Sequence, residues 1–259
     1  MIPKVIHYCW FGHNEKPELV KRCIESWKKY CPDYEIKEWN ENNFDVNLCD
    51  YTKQAYYEGK WAFVSDVARL WIVYNEGGIY LDTDVELHNT LDELLNYSCW
   101  FACDDIRYIN TGLGFGGEKN HQLVGSILKD YYNKIFDRTI CNVHNTKVIE
   151  SELKTFQRDG KTKIIDNILF IGMWEYGSYA KHHESNSWKS EEERISAKKR
   201  VGRYWKVKCK VRNPKLINYL ERNGETRLSK MYILFAYDFL DYGPMYFLSK
   251  GLKKIIKKA

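Results

Sequence analysis

The stretch SDVARLWIVYNEGGIYLDTDVEL, Ser65–Leu87, decides the fold. Together with Trp61–Val64 its first half reads as a strongly apolar helix to Tyr74, and Gly77–Gly78 then supplies a stop, because glycine adopts a left-handed cap conformation without strain. IYLDTDVEL follows as the next strand. A helix, a glycine stop and a strand in succession predict an α/β layer architecture. Two acids end that strand, and in an extended chain Asp82 and Asp84 share one face. They repel unless a cation lies between them, so the stretch is either a solvated strand end or half of a metal site.

The flanking sequence extends the pattern. Upstream, IPKVIHYCWFG predicts a buried strand over Val5–Trp10, ELVKRCIESWKKY a helix with Leu19, Cys23, Ile24 and Trp27 on one face, and CPDYEIKEWN a turn and a short strand. Downstream, YINTGLGFGGEKNH (Tyr108–His121) is a glycine-rich loop suited to close approach by a ligand or another backbone. It lacks the Gly-Lys-Ser/Thr element of a Walker loop and is not a dinucleotide fingerprint. Residues 121–136 read as a helix, 164–171 as a buried strand or strand pair, and AKHHESNSW (Ala180–Trp188) as a polar loop.

Composition narrows the class. A chain of 259 residues with 44% hydrophobic and 15% aromatic residues forms one large domain, or one with a small appendage. Eight cysteines without a CxxC pair read as free buried thiols in a reducing compartment. No stretch reaches the roughly 20 apolar residues of a membrane span, and the N-terminus lacks a cleavage signal, which gives a cytoplasmic protein as the expectation. Charge is asymmetric: residues 1–190 carry 22 basic and 28 acidic groups, residues 191–259 carry 18 and 7. The basic segment predicts an anionic partner, either a membrane surface or a nucleic acid.

Spacing alone says little about the two acids, since 15 Asp in 259 residues give about one Asp-x-Asp by chance. Position adds to it, because in open α/β sheets ligands bind beyond the carboxyl ends of strands. Hard oxygen donors there suit Mg²⁺ or Mn²⁺ shared with a diphosphate, and His182 and His183 are candidate third ligands. Asp66 and Arg69, three residues apart on the apolar helix, form a pair that is costly to bury unless it has a task. His7, within the first apolar strand, reads as a core histidine.

IPKVIHYCWFG, SDVARLWIVYNEGGIYLDTDV, the Asn-Thr-Gly of YINTGLGFGG and HHESNSW, in that order, resemble the DXD-motif sugar-binding glycosyltransferases. That family includes the yeast initiating α-1,6-mannosyltransferase and bacterial capsular polysaccharide transferases, with the clostridial glucosylating toxins more distant. The match spans residues 2–188. It implies a GT-A type, Rossmann-like mixed sheet flanked by helices over 1–190, with a basic, mainly helical extension over 191–259. The implied activity is metal-dependent, retaining transfer of a hexose from a nucleoside-diphosphate sugar, UDP-sugar favoured and GDP-mannose the alternative. The implied acceptor is a glycan, such as a lipid-linked oligosaccharide of bacterial surface polysaccharide synthesis.

The resemblance also assigns roles. Trp10 lies near the nucleobase. Asp66 and Arg69 hold the donor sugar and stabilise developing charge, with Asn110 nearby. Tyr80 joins the donor-binding set, Asp82 touches ribose, sugar or metal-bound water, and Asp84 ligates Mn²⁺ or Mg²⁺ directly. His183 matches a second metal ligand, Asn186 and Ser187 lie near the metal and the diphosphate, and Trp188 covers the leaving group. Glu86, Asp104 and Asp105 are all open as a side-chain base. The tail GPMYFLSKGLKKIIKKA places Met245, Leu248, Leu252, Ile255 and Ile256 on one stripe flanked by lysines, the pattern of an interfacial helix on the inner face of a membrane. The basic block 198–215, with Tyr204 and Trp205, keeps nucleic-acid binding as a rival reading; a membrane scaffold with an inactive transferase fold is another.

Overall fold

A computed structural model describes residues 1–104, 108–137 and 141–183. The chain opens with β1 (Val5–Cys9), α1 (Glu18–Tyr30) and β2 (Glu35–Trp39), then α2 (Asp50–Tyr57) and α3 (Trp61–Glu76). Next come β3 (Gly78–Tyr80), β4 (Val85–Leu87), a 3-10 turn (Asp92–Asn96), β5 (Cys99–Ala102) and β6 (Phe115–Gly117). Helices α4 (Gln122–Tyr132) and α5 (Cys141–Glu152) precede β7 (Lys163–Ile165), β8 (Ile168–Ile171), the short α6 (Met173–Tyr176) and β9 (Ala180–His182).

Seven strands form one sheet in the order β2-β1-β3-β6-β5-β8-β7. β1 is parallel to β2 and β3, β5 to β8, and β6 is antiparallel to both of its neighbours. This is the Rossmann-like mixed sheet flanked by helices that the sequence leads one to expect. Side chains alternate between two cores: Ile6, Tyr8, Ile79, Leu81 and Trp100 pack on the α1 side, whereas Cys9, Tyr80, Phe101 and Phe115 pack on the α3 and α4 side. Tyr80 and Asp82 therefore point toward α3, the helix that carries Asp66 and Arg69.

Three sequence expectations change. IYLDTDVEL is not one strand. Its first part closes the central sheet, Leu81 still donates its N–H to His7 O (3.1 Å), and Val85 N–H then bonds to Asp82 O (3.0 Å), closing a turn that contains Thr83 and Asp84. Val85–Leu87 joins Ala180–His182 in a separate antiparallel ribbon, so the first three residues of the expected polar loop are a strand. The segment 164–171, expected as a buried strand or strand pair, is the pair: a hairpin whose turn residues Asp166 and Asn167 have φ of 49° and 63°, as a two-residue turn requires. The glycines of the 112–117 run make room mainly for side chains: a Cβ on Gly116 would lie 2.5 Å from Trp100 Nε1.

The expected basic extension 191–259, its terminal lysine-flanked helix, Asp105, Asn186, Ser187 and Trp188 lie outside the described residues. Among the described residues no helix is long and apolar enough to cross a membrane.

His7 is the core histidine expected. Its Nε2–H donates to Gly77 O (2.8 Å) and its Nδ1 accepts from Trp39 Nε1 (3.1 Å); burial pushes its pKa down to about 4, so the ring is neutral. It packs against the α3–β3 junction, where Gly78 has φ of 99° and a Cβ would lie 2.8 Å from Val5 O and 2.9 Å from His7 Nε2. Gly78→Ala is expected to lower unfolding free energy by about 1–3 kcal/mol in urea titrations. Gly117→Ala, whose Cβ would meet only ordinary contacts from 3.4 Å outward, is expected to change it by less than about 1 kcal/mol.

Candidate functional site

Helix α3 is apolar on most sides, with Phe63, Val64, Val67, Leu70 and Val73 buried, and it buries Asp66 and Arg69 among them. Three-residue spacing sets the two side by side. Arg69 Nη2 lies 2.9 Å from Asp66 Oδ1 and 3.3 Å from Asp82 Oδ1, and Arg69 Nε donates to Ser65 O (3.0 Å). The guanidinium sits 5.0 Å from the centre of the Tyr80 ring, and Tyr80 OH donates to Asp82 Oδ1 (3.1 Å). One buried cation thus joins the helix to the end of β3.

Asp82 is fixed from the other side by the glycine-rich loop. Its N–H donates to Gly112 O (3.1 Å), and a Cβ on Gly112 would strike Asp82 Oδ2. Only glycine allows this carboxylate so close to the backbone. Asn110 Oδ1 accepts the N–H groups of Gly112 (3.0 Å) and Leu113 (3.1 Å). In this arrangement Asn110 shapes the loop that backs Asp82.

The ribbon brings in the third group. α1 holds β4, with Trp27 Nε1 donating to Val85 O (2.7 Å) and Leu87 N–H donating to Ser26 Oγ (2.9 Å). Pairing of β4 with β9 sets His182 opposite Val85, next to Asp84. His182 Nε2 lies 3.1 Å from Asp84 Oδ1, and Asp82, Asp84 and His182 each offer a ligand atom, all within 4.8 Å of one another. The structure thus brings His182 to the acids, whereas His183, the ligand implied by the family resemblance, points away. Its Nε2 is 2.7 Å from Glu86 Oε2, and only its backbone N–H reaches Asp84 O (2.9 Å). The reason is strand alternation: neighbouring residues cannot both face the acids.

Asp66 and Asp82 face one Arg69, and Asp84 adjoins Asp82, so with His182 neutral two negative charges are in excess when all three acids are ionised. Burial pushes Asp66 up to about 6, with Arg69 opposing and Asp82 adding to the shift. Burial also raises Asp82, again opposed by Arg69, while Asp84 pushes it further up. Arg69 stays protonated because its acidic neighbours outweigh its own burial. Two carboxylates and an imidazole with surplus negative charge fit a divalent cation, Mn²⁺ or Mg²⁺.

The remaining candidates lie around this centre. Trp10 follows β1, the parallel neighbour of β3, so it shares the carboxyl edge of the sheet with Asp82. It is half-buried, and its Nε1 donates to Asn14 O (2.7 Å). Glu86 is engaged by His183, and Asp104 accepts from Tyr108 N–H (2.8 Å) and Asn142 Nδ2 (3.3 Å). Sequence reading missed Ser26 and Trp27 as supports of the ribbon; a Trp on a helix face signals core, and nothing local shows where its N–H goes.

Residues 17–101 match the family described as "Glycosyltransferase sugar-binding region containing DXD motif". Inositol phosphoceramide mannosyltransferase 3 of Schizosaccharomyces pombe is 36% identical over 107 residues, which cover 38% of this chain and 29% of that protein. The uncharacterized glycosyltransferase L373 of Acanthamoeba polyphaga mimivirus is 25% identical over 182 residues, 65% of this chain and 71% of that protein. Among solved structures, the PaToxG glycosyltransferase aligns with a TM-score of 0.48 and 18% identity, over 59% of this chain and 70% of that one. The chain thus spans less than a third of the mannosyltransferase it matches. The matched residues 17–101 contain Asp66, Arg69, Tyr80, Asp82 and Asp84, so the similarity to the DXD-motif sugar-binding region falls on the candidate site itself.

Proposed function

We propose that the protein is a metal-dependent, retaining glycosyltransferase that moves a hexose from a nucleoside-diphosphate sugar to a glycan or lipid-linked acceptor. The observation that carries this reading is the convergence of Asp82, Asp84 and His182 within 4.8 Å at the carboxyl edge of the sheet, beside the Asp66–Arg69 pair. A divalent ion held by those three residues supplies a Lewis acid that offsets the charge of a diphosphate. Arg69, fixed by Ser65, Asp66 and Asp82, presents a positive charge that needs no reorganisation during reaction. Asp66 accepts a hydrogen bond from a hydroxyl of the donor hexose, and the Trp10 ring offers a plane for the nucleobase.

Transfer breaks the bond from the anomeric carbon to the diphosphate oxygen and forms one to the acceptor oxygen on the same face. The acceptor proton leaves with the diphosphate, so no side-chain nucleophile is required. The Schizosaccharomyces pombe relative is by its name an inositol phosphoceramide mannosyltransferase, which favours mannose for that protein, so GDP-mannose stands beside UDP-hexoses as a donor here. A lysine-rich tail would hold such an enzyme at the inner face of a membrane that carries a lipid acceptor.

Donor hydrolysis tests the reading directly. Incubated with UDP-glucose, UDP-galactose, UDP-N-acetylhexosamines and GDP-mannose, the protein is expected to hydrolyse at least one slowly with Mn²⁺ and none after chelation. Asp84→Asn is expected to cost about a hundredfold or more in turnover. Hydrolysis that persists without metal would refute the proposal.

Calorimetric Mn²⁺ titration separates the two histidines. His182→Ala is expected to weaken binding by more than about tenfold and His183→Ala by less; the reverse order would return the ligand role to His183. A third expectation concerns pH. Asp66 is held at about 6 because burial disfavours its charge, so it loses its acceptor form and its pairing with Arg69 as pH falls through that value. kcat/KM should therefore rise with pH around 6, and Asp66→Asn should give a low profile without that limb.

A further inference from the structure

β3 and β5 are both antiparallel to β6, and β8 is parallel to β5, so β8 ends at the same edge of the sheet as β3. Helix α6 (Met173–Tyr176) follows β8 directly and therefore shares the carboxyl edge with Asp82 and Trp10. Strand order spreads these groups along it: Trp10 lies beyond β1, the acids beyond β3, and α6 beyond β8, with β6 and β5 between the last two.

The short helix is firmly mounted. Tyr176 is 2% exposed, and its OH donates to Leu113 O (2.7 Å) in the loop that backs Asp82, where Gly114 leaves room for the hydroxyl. Tyr176 N–H donates to Gly172 O (2.9 Å), and a Cβ on Gly172 would lie 2.6 Å from Gly160 O. Helix positions two apart point to nearly opposite sides, so burying Tyr176 turns Trp174 outward. Trp174 is 91% exposed, the most exposed large apolar side chain among the described residues, and the neighbouring Met173 is exposed as well. A rigidly held element thus presents a bare indole at the edge where the candidate site lies.

Charge and chemistry select the occupant. α6 carries one charged residue, Glu175, and its carboxylate lies back over the end of β8, where a Cβ on Gly172 would be 2.8 Å from Glu175 Oε2. A carboxylate disfavours an anionic bilayer or a nucleic acid, but accepts hydrogen bonds from hydroxyls. A hexopyranose has an apolar face of C–H groups, which stacks on an aromatic plane, and a rim of hydroxyls. One bare ring beside one acid fits a neutral sugar.

We infer that Trp174 is the platform for the acceptor: its ring stacks on a hexopyranose of the acceptor glycan while Glu175 accepts a hydrogen bond from one of that sugar's hydroxyls. The acceptor then reaches the acids from the β8 side, and the nucleobase occupies the β1 side near Trp10. The acceptor role rests on the glycosyltransferase reading, whereas glycan binding at Trp174 does not.

Two measurements on the full chain test it, with methyl α-mannoside, methyl α-glucoside and methyl β-galactoside as probes. Trp174 is exposed, so its replacement leaves the core intact. Saturation-transfer NMR without any donor is expected to show binding of at least one glycoside, lost in Trp174→Ala and largely kept in Trp174→Phe. With nucleotide sugar and Mn²⁺, the glycoside that binds should speed donor consumption; Trp174→Ala should raise its KM about tenfold, and the donor KM by less than about twofold. Absent saturation transfer, or transfer undiminished in Trp174→Ala, overturns the inference even if donor hydrolysis is found. Equal rises in both KM values overturn it as well, since they mark a structural effect. Binding to phosphatidylglycerol-containing vesicles that falls in Trp174→Ala, while the glycoside signal does not, assigns the ring to a membrane and likewise overturns it. Trp174-dependent glycoside binding in a protein that consumes no donor overturns the transferase reading and, with it, the acceptor role.

Discussion

The buried Arg69 guanidinium is the interaction on which the site depends. It lies in an apolar helix, is 3% exposed, and spans two acids from different elements, Asp66 on α3 and Asp82 beyond β3. Replacing such a cluster by apolar residues would cost little stability or even add some, since desolvating charges is expensive. Its retention therefore points to use. The geometry also fixes the order of construction: α3 must pack on the face of β3 that carries Tyr80, because only that face puts Asp82 within reach.

The ribbon of β4 and β9 solves a separate problem, that of joining residues about a hundred positions apart. Asp82 and Asp84 come from one turn, but His182 arrives only because β9 pairs with β4 in a register that sets it opposite Val85. α1 secures that register through Trp27 and Ser26, whose donor and acceptor groups satisfy Val85 and Leu87 in the buried layer. α1 thus helps to place His182 by way of β4. The Glu86–His183 pair lies on the opposite side of the same ribbon.

How much of this was legible follows from which interactions are local. The α1 and α3 helices, β1 and β2 have periodicities that depend on a few neighbours and are legible, whereas 164–171 reads as a strand or a strand pair and the structure makes it the pair. The division of IYLDTDVEL into two strands depends on Gly112 O capturing Asp82 N–H and on the distant β9, neither of which leaves a mark within the stretch. α5 has no apolar stripe because its buried face is polar and paired with the site, so hydrophobic periodicity could not reveal it. The choice between His182 and His183 is likewise a matter of strand register. Residue chemistry left both open, and the family spacing selected the one that the ribbon turns away.

Charge explains why these pieces belong together. Arg69 alone cannot neutralise Asp66, Asp82 and Asp84, and the raised pKa values of Asp66 and Asp82 express the resulting resistance to full ionisation. Protonation relieves the repulsion but leaves carboxyls that make poorer partners for Arg69 and poorer metal ligands. A divalent cation would relieve it in a way that keeps all three acids ionised, and Asp82, Asp84 and His182 are the residues that would hold it. The site is thereby divided: the α3 side carries the fixed positive charge of Arg69, and the ribbon side carries the surplus negative charge. The two sides meet at Asp82, which among the described residues of the triad is the one in contact with Arg69, so on the proposed function this residue would couple sugar binding to metal binding.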